Sequence, residues 1–278
     1  MSSIHTVTSI LTFNAGMIDI RTLGIPVYRP LPRVSERLRR LPDALAALDA
    51  DIVCLQELYQ RRQQNWLRAE LANRYPYAAG MPVGGVRLGS DLMVLSKYPI
   101  TATRSLRFEV AMTEESLFTD RGFQLVDLEL PGAGPIRLIN LHASAGGLFR
   151  HPEGVAAAAI RTRQIDQVLQ SVGEGPVILA GDFNAGSEAS PVHYRTVLDA
   201  GYRDAFAAAD GEGATWDPRN PLVAGGKEHH LQAQRIDHVF LNHAAAAKLR
   251  PADARIVLDG SPPLSDHFGV LVEFEANA

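Results

Sequence analysis

The chain has 278 residues, of which 46% are hydrophobic and 21% are charged, and this balance excludes an intrinsically disordered or a fibrous protein. Its 27 Lys and Arg against 31 Asp and Glu leave a net charge of −4, which argues against a protein that binds nucleic acid through a broad basic surface. Cys54 is the only cysteine, so an intramolecular disulfide is excluded, and its apolar neighbours predict a buried thiol.

The N-terminal residues lack both the basic and the apolar segment of a signal peptide. No run of the chain approaches the roughly 18 apolar residues that a membrane span needs. We therefore expect a cytoplasmic protein. Neither a compositional break nor a repeat of fixed period divides the chain, and we expect a single domain over residues 1–278.

The first part of the chain predicts strands and helices separated by one unusual apolar segment. Residues 17–32 contain Pro26, Pro30 and Pro32, which forbid a continuous helix, so we expect an apolar loop that packs on the core or borders a binding site. Apolar residues at helical spacing predict the next helix, and Pro42 predicts a kink or two shorter helices. The predicted elements are a strand over 8–13, the loop over 17–32, a helix over 33–48, a strand over 52–55 and a helix over 63–74.

The remainder of the chain interleaves strand patterns with helix patterns. Residues 122–130 alternate apolar and polar side chains, as a half-exposed strand does. Hairpins in some places and helical crossovers in others favour two packed sheets with helices outside them. The predicted elements are strands over 91–95, 100–109, 122–130 and 136–142, a helix over 155–172, a strand over 177–180, helices over 191–200 and 203–209, and strands over 235–241, 254–258 and 268–274.

The stretch from Val177 to Asn184 joins a buried strand to hard oxygen ligands. The apolar run ends at Ala180, and Gly181 then precedes Asp182. Side chains two positions apart lie on one side of a strand, so Asp182 and Asn184 would point the same way at its end. Such a pair suits a divalent cation or a phosphate. The same residues are also typical of a strand followed by an Asx turn.

Polar side chains stand at the ends of several other predicted strands. Taken singly, they are equally typical of turns, surface acids and hydrogen-bonded histidines. Asp237 differs, because a carboxylate inside an apolar strand is costly unless it is paired, and Asp266 and His267 are the partners that the chain offers. The residues at strand ends are Asn14, Glu57, His142, Asp182, Asn184, Asp237, Asp266 and His267.

These residue types together indicate phosphoryl transfer. A carboxylate bonded to a histidine fixes the tautomer of the imidazole and raises its basicity, which suits a general base. Carboxylates and carboxamides without cysteine ligands favour Mg²⁺ or Mn²⁺ over zinc. A cation, a carboxylate-backed histidine and several amides at one place would serve the in-line attack of water on a phosphoester.

Six short motifs resemble those of the endonuclease/exonuclease/phosphatase superfamily, and they span nearly the whole chain. They are Asn14, Leu55-Gln56-Glu57, Leu141-His142, Gly181-Asp182-Phe183-Asn184, Arg235-Ile236-Asp237 and Ser265-Asp266-His267. The resemblance implies an α/β fold, a four-layer α/β/β/α sandwich of two mixed β-sheets flanked by helices. It also implies Mg²⁺-dependent hydrolysis of a phosphoester.

Carried over by motif, the resemblance implies a metal site. Glu57 would be the main metal ligand, Asn14 would lie beside the metal or the phosphate, and Asp266 would be a second carboxylate on the metal side. The cofactor implied is Mg²⁺, and Mn²⁺ accepts the same ligands.

The resemblance also implies a catalytic set. Asp182 would align or activate the attacking water, and Asn184 would hold the phosphate and the water. His142 would donate a hydrogen bond to the phosphate oxygens. His267, backed by Asp237, would be a base or a phosphate ligand.

Within that superfamily the details are most similar to the neutral sphingomyelinases. Asp120-Arg121-Gly122 resembles their Asp-Lys-Gly, and an arginine there can still bind phosphate. Asn140 departs from the family, whose eukaryotic members have His-Leu-His at this strand end. The resemblance implies a phosphodiester substrate with a lipid headgroup, and the apolar segment over 17–32 fits a peripheral contact with a membrane.

Other activities remain open for the same fold. A nuclease or apurinic-site endonuclease would need a basic groove, which the net charge disfavours. An inositol or nucleotide phosphatase would need basic clusters in the loops over 80–90 and 145–163. There the chain carries Arg87, Arg150, Arg161 and Arg163. The non-enzymatic alternative is a degenerate member that uses the fold as a binding module.

Overall fold

Two six-stranded sheets form the centre of the computed structural model, which describes residues 7–22, 25–80, 90–112, 119–146, 154–224 and 231–277. Strands are numbered in chain order. The first sheet has the spatial order β13 (Leu249–Val257), β14 (Gly269–Ala276), β1 (Val7–Asn14), β4 (Ile52–Gln56), β6 (Met93–Ser96) and β5 (Tyr77–Gly80). The second has the order β11 (Arg203–Asp204), β12 (Asp237–Leu241), β10 (Val177–Asp182), β9 (Gly134–His142), β8 (Gly122–Leu130) and β7 (Ile100–Arg107).

Helices cover the outer face of each sheet, which confirms the predicted four-layer α/β/β/α sandwich. Leu41 and Leu67, from the first two helices, share one apolar cluster with Val53 of β4. Ile165 of the third helix shares another with Leu179 of β10. The helices are α1 (Val34–Leu48), α2 (Arg61–Glu70), α3 (Val155–Ser171), α4 (Pro191–Asp199), α5 (Ala205–Ala208) and α6 (His243–Ala246).

The space between the sheets changes from apolar to polar along the strands. Ile10 and Ile52 of the first sheet pack there against Leu138 and Ile178 of the second, and Cys54 is buried among them. Because every second side chain of a strand points to the same face, the residues further along these strands point into the same space. These inward positions become polar towards one end of both sheets.

A buried layer of amides joins the two sheets where the apolar part ends. The Gln56 amide nitrogen donates to the Asn140 side-chain oxygen at 2.8 Å and to the Thr12 hydroxyl at 3.1 Å. Asn140 in turn donates to the backbone carbonyls of Leu55 and Met93. The asparagine that departs from the family pattern therefore bonds the second sheet to the first, directly beneath the polar end.

Strand pairing collects the polar ends at one edge. β1 runs parallel to β4, and β9 runs parallel to β10, so the carboxyl ends of these four strands point the same way within their sheets. β12 is antiparallel to β10, which sets Asp237 opposite Asp182, while Asp182 is also opposite His142. Long-range pairing thus places side chains from distant parts of the chain side by side.

The segment over 17–32 is not the loop that the prolines predicted. It contains a two-stranded antiparallel ribbon of β2 (Ile20–Thr22) and β3 (Ile25–Tyr28). A two-stranded ribbon pairs each strand on one side only, so a proline such as Pro26 can be accommodated without losing a central ladder bond. The ribbon follows β1 at the polar edge of the first sheet.

Two helix predictions also need correction. α1 runs from Val34 to Leu48 as one helix through Pro42, because Leu41, Pro42 and Leu45 are all buried and packing outweighs the lost hydrogen bond. The helix over 203–209 is divided into β11 and α5. Among the described residues, no helix has both the length and the apolar character needed to cross a membrane.

Asp204 explains that division and organises the far side of the second sheet. Its carboxylate accepts from the backbone amide of Phe206 at the start of α5, from the Tyr194 hydroxyl at 2.8 Å, and from Arg235 at 2.7 Å. Burial alone would raise the pKa of Asp204, but the hydrogen bonds and charges of His238 and Arg235 outweigh burial and lower it. The carboxylate is therefore held ionised.

Replacing Asp204 by Asn should cost about 3 kcal/mol of unfolding free energy at pH 7, because Arg235, whose side chain is only 13% exposed, would lose its carboxylate. The lowered pKa means that this contribution is present above the unfolded-state pKa of about 3.9 and is lost as the pH falls below it. Urea unfolding of the wild type and the variant at pH 7 and pH 3 should show a smaller difference at pH 3. Asp127→Asn, which breaks a half-exposed pair with Arg137, should cost less than about 1 kcal/mol. An Asp204→Asn cost that does not change with pH would contradict this assignment.

Candidate active site

Asp182 lies at the centre of the polar edge and is almost completely buried. Its Oδ2 atom accepts from the Asn14 side-chain nitrogen at 3.0 Å and lies 3.6 Å from His142 Nε2 and 3.9 Å from His267 Nε2. Gly181 before it is essential, because a β-carbon there would stand 2.0 Å from the carbonyl oxygen of Leu141. One carboxylate oxygen of the second sheet thus faces an amide of the first sheet and two imidazoles.

His142 is backed by a carboxylate that sequence reasoning missed. Its Nδ1 atom is hydrogen-bonded to Asp91, which precedes β6 in the first sheet. Burial and the charge of Arg121 lower the pKa of His142, but the charge and hydrogen bond of Asp91 outweigh them and raise it. The signal available in the sequence was an acid directly before a buried apolar strand, a position that requires a partner.

His267 has the same arrangement with the partner that the sequence predicted. Its Nδ1 atom is 2.9 Å from Asp237 Oδ2. Burial lowers the pKa of His267, but the carboxylates of Asp237 and Asp182 raise it well above the ordinary value. The two histidines therefore both carry a carboxylate on Nδ1 and both direct Nε2 towards Asp182.

Glu57 is a carboxylate beside His142 and Asn14 that could bind a cation. Burial raises its pKa, and the charge of His142 offsets this only in part. Its hydrogen-bond contact is with the Asn14 side-chain nitrogen at 3.4 Å, and His142 Nε2 stands 4.0 Å away. Its φ of 61° is in the left-handed region, which is unusual for a residue with a β-carbon and is common where backbone strain serves a site. The donor set of Glu57 and Asn14 fits a divalent cation that prefers oxygen ligands.

Asp266 is held near this pair by the loop before β14. Its Oδ1 atom accepts from the Ser265 hydroxyl at 3.1 Å, and its charge is one of those that raise the pKa of Glu57. A second grouping is also capable of holding a metal: Asp182, Asp237 and His267 offer ligand atoms within 4.8 Å of one another. Asp237 Oδ1 is buried without a hydrogen-bond partner among the described residues, which leaves a lone pair for a cation there.

Arg121 and Asn184 complete the edge. The Arg121 guanidinium donates to the Ala143 carbonyl at 3.0 Å and lies 3.4 Å from His142 Nε2. Asn184, at a left-handed φ of 48°, also donates its side-chain nitrogen to the Ala143 carbonyl, while its backbone amide donates to Asp182. The structure thus brings together all of the residues predicted for the site, and it adds Asp91 and Tyr59, whose hydroxyl accepts from Arg121 at 3.3 Å.

Of the four basic residues proposed for a phosphatase, the structure describes two, and these two differ in their surroundings. Arg161 is buried in α3, where it donates to the Ser144 carbonyl and to the Ser190 hydroxyl. Arg163 is exposed. Arg87 and Arg150 lie outside the described residues. Among the residues described, this arrangement assigns Arg161 to bracing the loops behind the site.

The polar edge that carries Asp182, His142 and His267 is the catalytic edge of the two sheets. With it the sheets form a sandwich of the phosphoesterase type, and comparisons with known proteins agree. The family model for the Endonuclease/Exonuclease/phosphatase family matches residues 11–267. The chain belongs to this family. A sphingomyelinase of Mycobacterium tuberculosis is 25% identical over 197 residues, which are 68% of this chain and 38% of that protein. The chain thus spans about two fifths of this curated relative.

Solved structures share the fold. Sphingomyelinase C from Streptomyces griseocarneus has a TM-score of 0.74 at 24% identity, covering 98% of this chain and all of that one. Beta toxin from Staphylococcus aureus, solved with bound magnesium ions, has a TM-score of 0.75 at 17% identity, covering 96% of this chain and 99% of that one. At these identities the likeness is one of fold, and it confirms the predicted sandwich.

Replacing Asp91 by Asn should lower the pKa of His142, because burial and the charge of Arg121 would then act without the charge and hydrogen bond of the Asp91 carboxylate. NMR titration of the histidine side chains measures this shift directly. Asp49→Asn removes a surface carboxylate paired with Lys97 and Arg74 and should leave the titration of His142 unchanged. An unaltered His142 titration in the Asp91 variant would show that the pair does not govern its protonation.

Proposed function

We propose that this protein is a metal-dependent phosphodiesterase that hydrolyses a sphingomyelin-like lipid by in-line attack of water. The observation that carries the proposal is the convergence of two carboxylate-backed histidines on Asp182 Oδ2, at 3.6 and 3.9 Å. Groups of this kind supply a proton acceptor and two cationic hydrogen-bond donors around a single position. The hydrolysis of a phosphoester needs both the proton acceptor and the donors.

Asp182 is the group that takes a proton from the attacking water. Its Oδ1 atom is held by the backbone amide of Asn184 and its Oδ2 atom by Asn14, so the carboxylate cannot rotate away. Attack forms the new P–O bond, the bond to the lipid alcohol breaks, and the leaving oxygen takes a proton from the protonated Nε2 of a histidine beside Asp182. The water's own proton passes to Asp182.

The histidines stabilise the charge that develops on phosphorus-bound oxygens. Both have a raised pKa, so at neutral pH each can present a protonated Nε2. Arg121 adds a guanidinium beside His142, and Asn184 retains a second side-chain N–H beyond the one that Ala143 accepts. These donors are fixed before substrate arrives, which is the basis of their contribution to rate.

The metal proposed is Mg²⁺ or Mn²⁺, held by Glu57 with Asn14 and Asp266. When bound it would act as a Lewis acid towards the phosphoryl oxygens. The raised pKa of Glu57 and the few hydrogen bonds to its carboxylate support this assignment. Beta toxin, a protein of the same fold, has been solved with bound magnesium ions, which supports a divalent cation as the metal.

The lipid substrate is supported by the sphingomyelinase relatives and by the ribbon beside the site. The ribbon of β2 and β3 begins at Ile20, six residues after Asn14 at the carboxyl end of β1. Its half-buried apolar residues include Ile18, just before it, and Ile20 within it. Apolar side chains in this place would contact the acyl surface around a bound headgroup.

The proposal is tested by assaying three substrates in parallel with Mg²⁺, Mn²⁺ or EDTA. They are sphingomyelin vesicles, a DNA duplex with an abasic site, and bis(4-nitrophenyl) phosphate. We expect cation-dependent phosphocholine release and slower cleavage of the soluble diester. Loss of the His267 imidazole should lower both rates by about 10² or more, since a positioned acid–base group contributes 10²–10⁴.

His267→Ala serves as the blank, and His243→Ala, on a surface helix away from the edge, is the matched control. Cleavage of the duplex alone would move the protein to the nuclease branch. Equal rates with cation and with EDTA would overturn the metal assignment. No turnover of any phosphoester, together with Mn²⁺ binding, would favour the binding-module alternative.

The membrane contact has its own test. Changing Ile18 and Ile20 to Ser should lower hydrolysis of vesicles about thirtyfold, because each loses roughly 1 kcal/mol of apolar contact with lipid, and should leave hydrolysis of the soluble diester unchanged. Val7 and Tyr77 are exposed apolar residues at strand starts on the opposite end of the first sheet. Changing those two to Ser should affect neither substrate. Equal loss on vesicles and soluble diester in the ribbon variant would refute the contact.

A further inference from the structure

Arg37 is a fully buried arginine whose role neither the sequence motifs nor the catalytic residues explain. Its side chain is 2% exposed and lies inside the first turn of α1, between the helix and two loops of the catalytic edge. Among the described residues, no carboxylate forms an ion pair with it. A charged group buried in this way must be satisfied by hydrogen bonds, since its desolvation is otherwise very costly.

Backbone carbonyls supply those hydrogen bonds. Arg37 Nη1 donates to the Ala15 carbonyl at 3.2 Å and to the Leu264 carbonyl at 2.8 Å, and Nη2 donates to the Gly16 carbonyl at 2.7 Å. Nε donates to the Pro32 carbonyl at 3.0 Å, at the end of the ribbon segment. The planar fork of the guanidinium thus links three separate segments of the chain, which a lysine with its single nitrogen could not do.

Two of these segments carry proposed metal ligands. Ala15 and Gly16 follow Asn14 directly, and Leu264 stands two residues before Asp266. The loop after β1 is also bonded to the third ligand, because the Met17 amide donates to the Glu57 carbonyl at 3.2 Å. Arg37 therefore bonds two of the three ligand-bearing loops directly, and the loop after β1 links it to the third.

The two loops meet at a close contact at Gly16, where an added β-carbon would force neighbouring side chains to shift. Gly16 has a φ of 60°, and a β-carbon there would lie 2.9 Å from both Asp266 Oδ1 and Ser265 Oγ. Gly16 thus contacts the Asp266 loop directly and contacts the Arg37 guanidinium through its carbonyl. Burial lowers the pKa of Arg37, and the charges of Asp266 and Glu57 act against burial, which places both acids within electrostatic range.

We propose that Arg37 is a positioning residue of the catalytic edge, which holds the loop of Asn14 and the loop of Asp266 at the separation that a divalent cation requires. The proposal rests on the proposed metal-dependent function of the site. It predicts the direction in which the affinity for a divalent cation changes when Arg37 is replaced. Removing a nearby positive charge would by itself tighten cation binding, whereas releasing the two loops weakens it.

The experiment compares Arg37→Met, which keeps the volume of the stem without donors or charge, with Arg39→Met on the exposed face of the same helix. Free Mn²⁺ is measured by electron paramagnetic resonance during titration of each protein, with Glu57→Gln as the reference for a lost ligand. We expect the Mn²⁺ dissociation constant of Arg37→Met to rise about tenfold or more, as for other groups that orient metal ligands. For bis(4-nitrophenyl) phosphate at saturating Mn²⁺, kcat should fall about tenfold while KM changes little. Arg39→Met should match the wild type in all three quantities.

Several results would overturn the proposal. Tighter Mn²⁺ binding by Arg37→Met would show that the arginine acts only through its charge, and an unchanged dissociation constant and kcat with a lower thermal midpoint would show that it only stabilises the fold. If Arg37→Met does not fold, Arg37→Lys decides, since it keeps the charge but loses the fork. Its Mn²⁺ affinity should fall, and wild-type affinity would overturn the proposal.

The wild type separates this proposal from the proposed function. If it binds Mn²⁺ but hydrolyses neither sphingomyelin nor bis(4-nitrophenyl) phosphate, the proposed function is contradicted, while the comparison of Mn²⁺ affinities remains valid. A wild type that binds no Mn²⁺ would overturn both.

Discussion

The catalytic edge depends on one constraint, that polar side chains pointing between two packed sheets cannot reach bulk water and must satisfy one another. The hydrogen bond from Asn14 of the first sheet to Asp182 of the second is the central instance. Below it, the Gln56–Asn140 bond obeys the same rule. A buried donor or acceptor left alone would cost about 1–3 kcal/mol, so the sheets are held in register by the pairs that later serve chemistry. Stability and preorganisation of the site have the same physical origin.

The two histidines show how similar pairs acquire different surroundings. Both are buried, both have a carboxylate on Nδ1, and both face Asp182. His142 also has the Arg121 guanidinium at 3.4 Å and Glu57 at 4.0 Å, whereas the charges that act on the pKa of His267 are those of the carboxylates Asp237, Asp182 and Asp266. His142 therefore lies beside Glu57, the proposed metal ligand, and beside the positively charged side chain of Arg121. His267 lies in the more negative half of the edge, which favours its protonated form.

Much of the fold and of the site was open to prediction from residue patterns. The buried strands, the covering helices and the strand-end residues follow from local periodicity, and the motif from Gly181 to Asn184 reflects a close strand approach that only glycine allows. What was missed has a common cause. Asp91 and Arg37 lie in ordinary contexts, an acid before a strand and an arginine in an amphipathic helix, and only their partners distinguish them. The ribbon after β1 was missed because its prolines remove helix and central-strand conformations but permit a two-stranded pair.

The sequence by itself determined most of the elements, the chemical types at strand ends and the class of phosphoester chemistry, because the elements follow from periodicity and the chemistry follows from the identity of the side chains. Only the tertiary structure decided which ends meet. Asn14 and Asp182 are 168 positions apart, and their contact arises from parallel pairing within each sheet and from the packing of the two sheets face to face. Local patterns contain no information on such pairings. The energy of a pairing comes from groups that are brought together only when the whole chain folds. The partners of Asp182, His142 and Arg37 were therefore decided only by the tertiary structure.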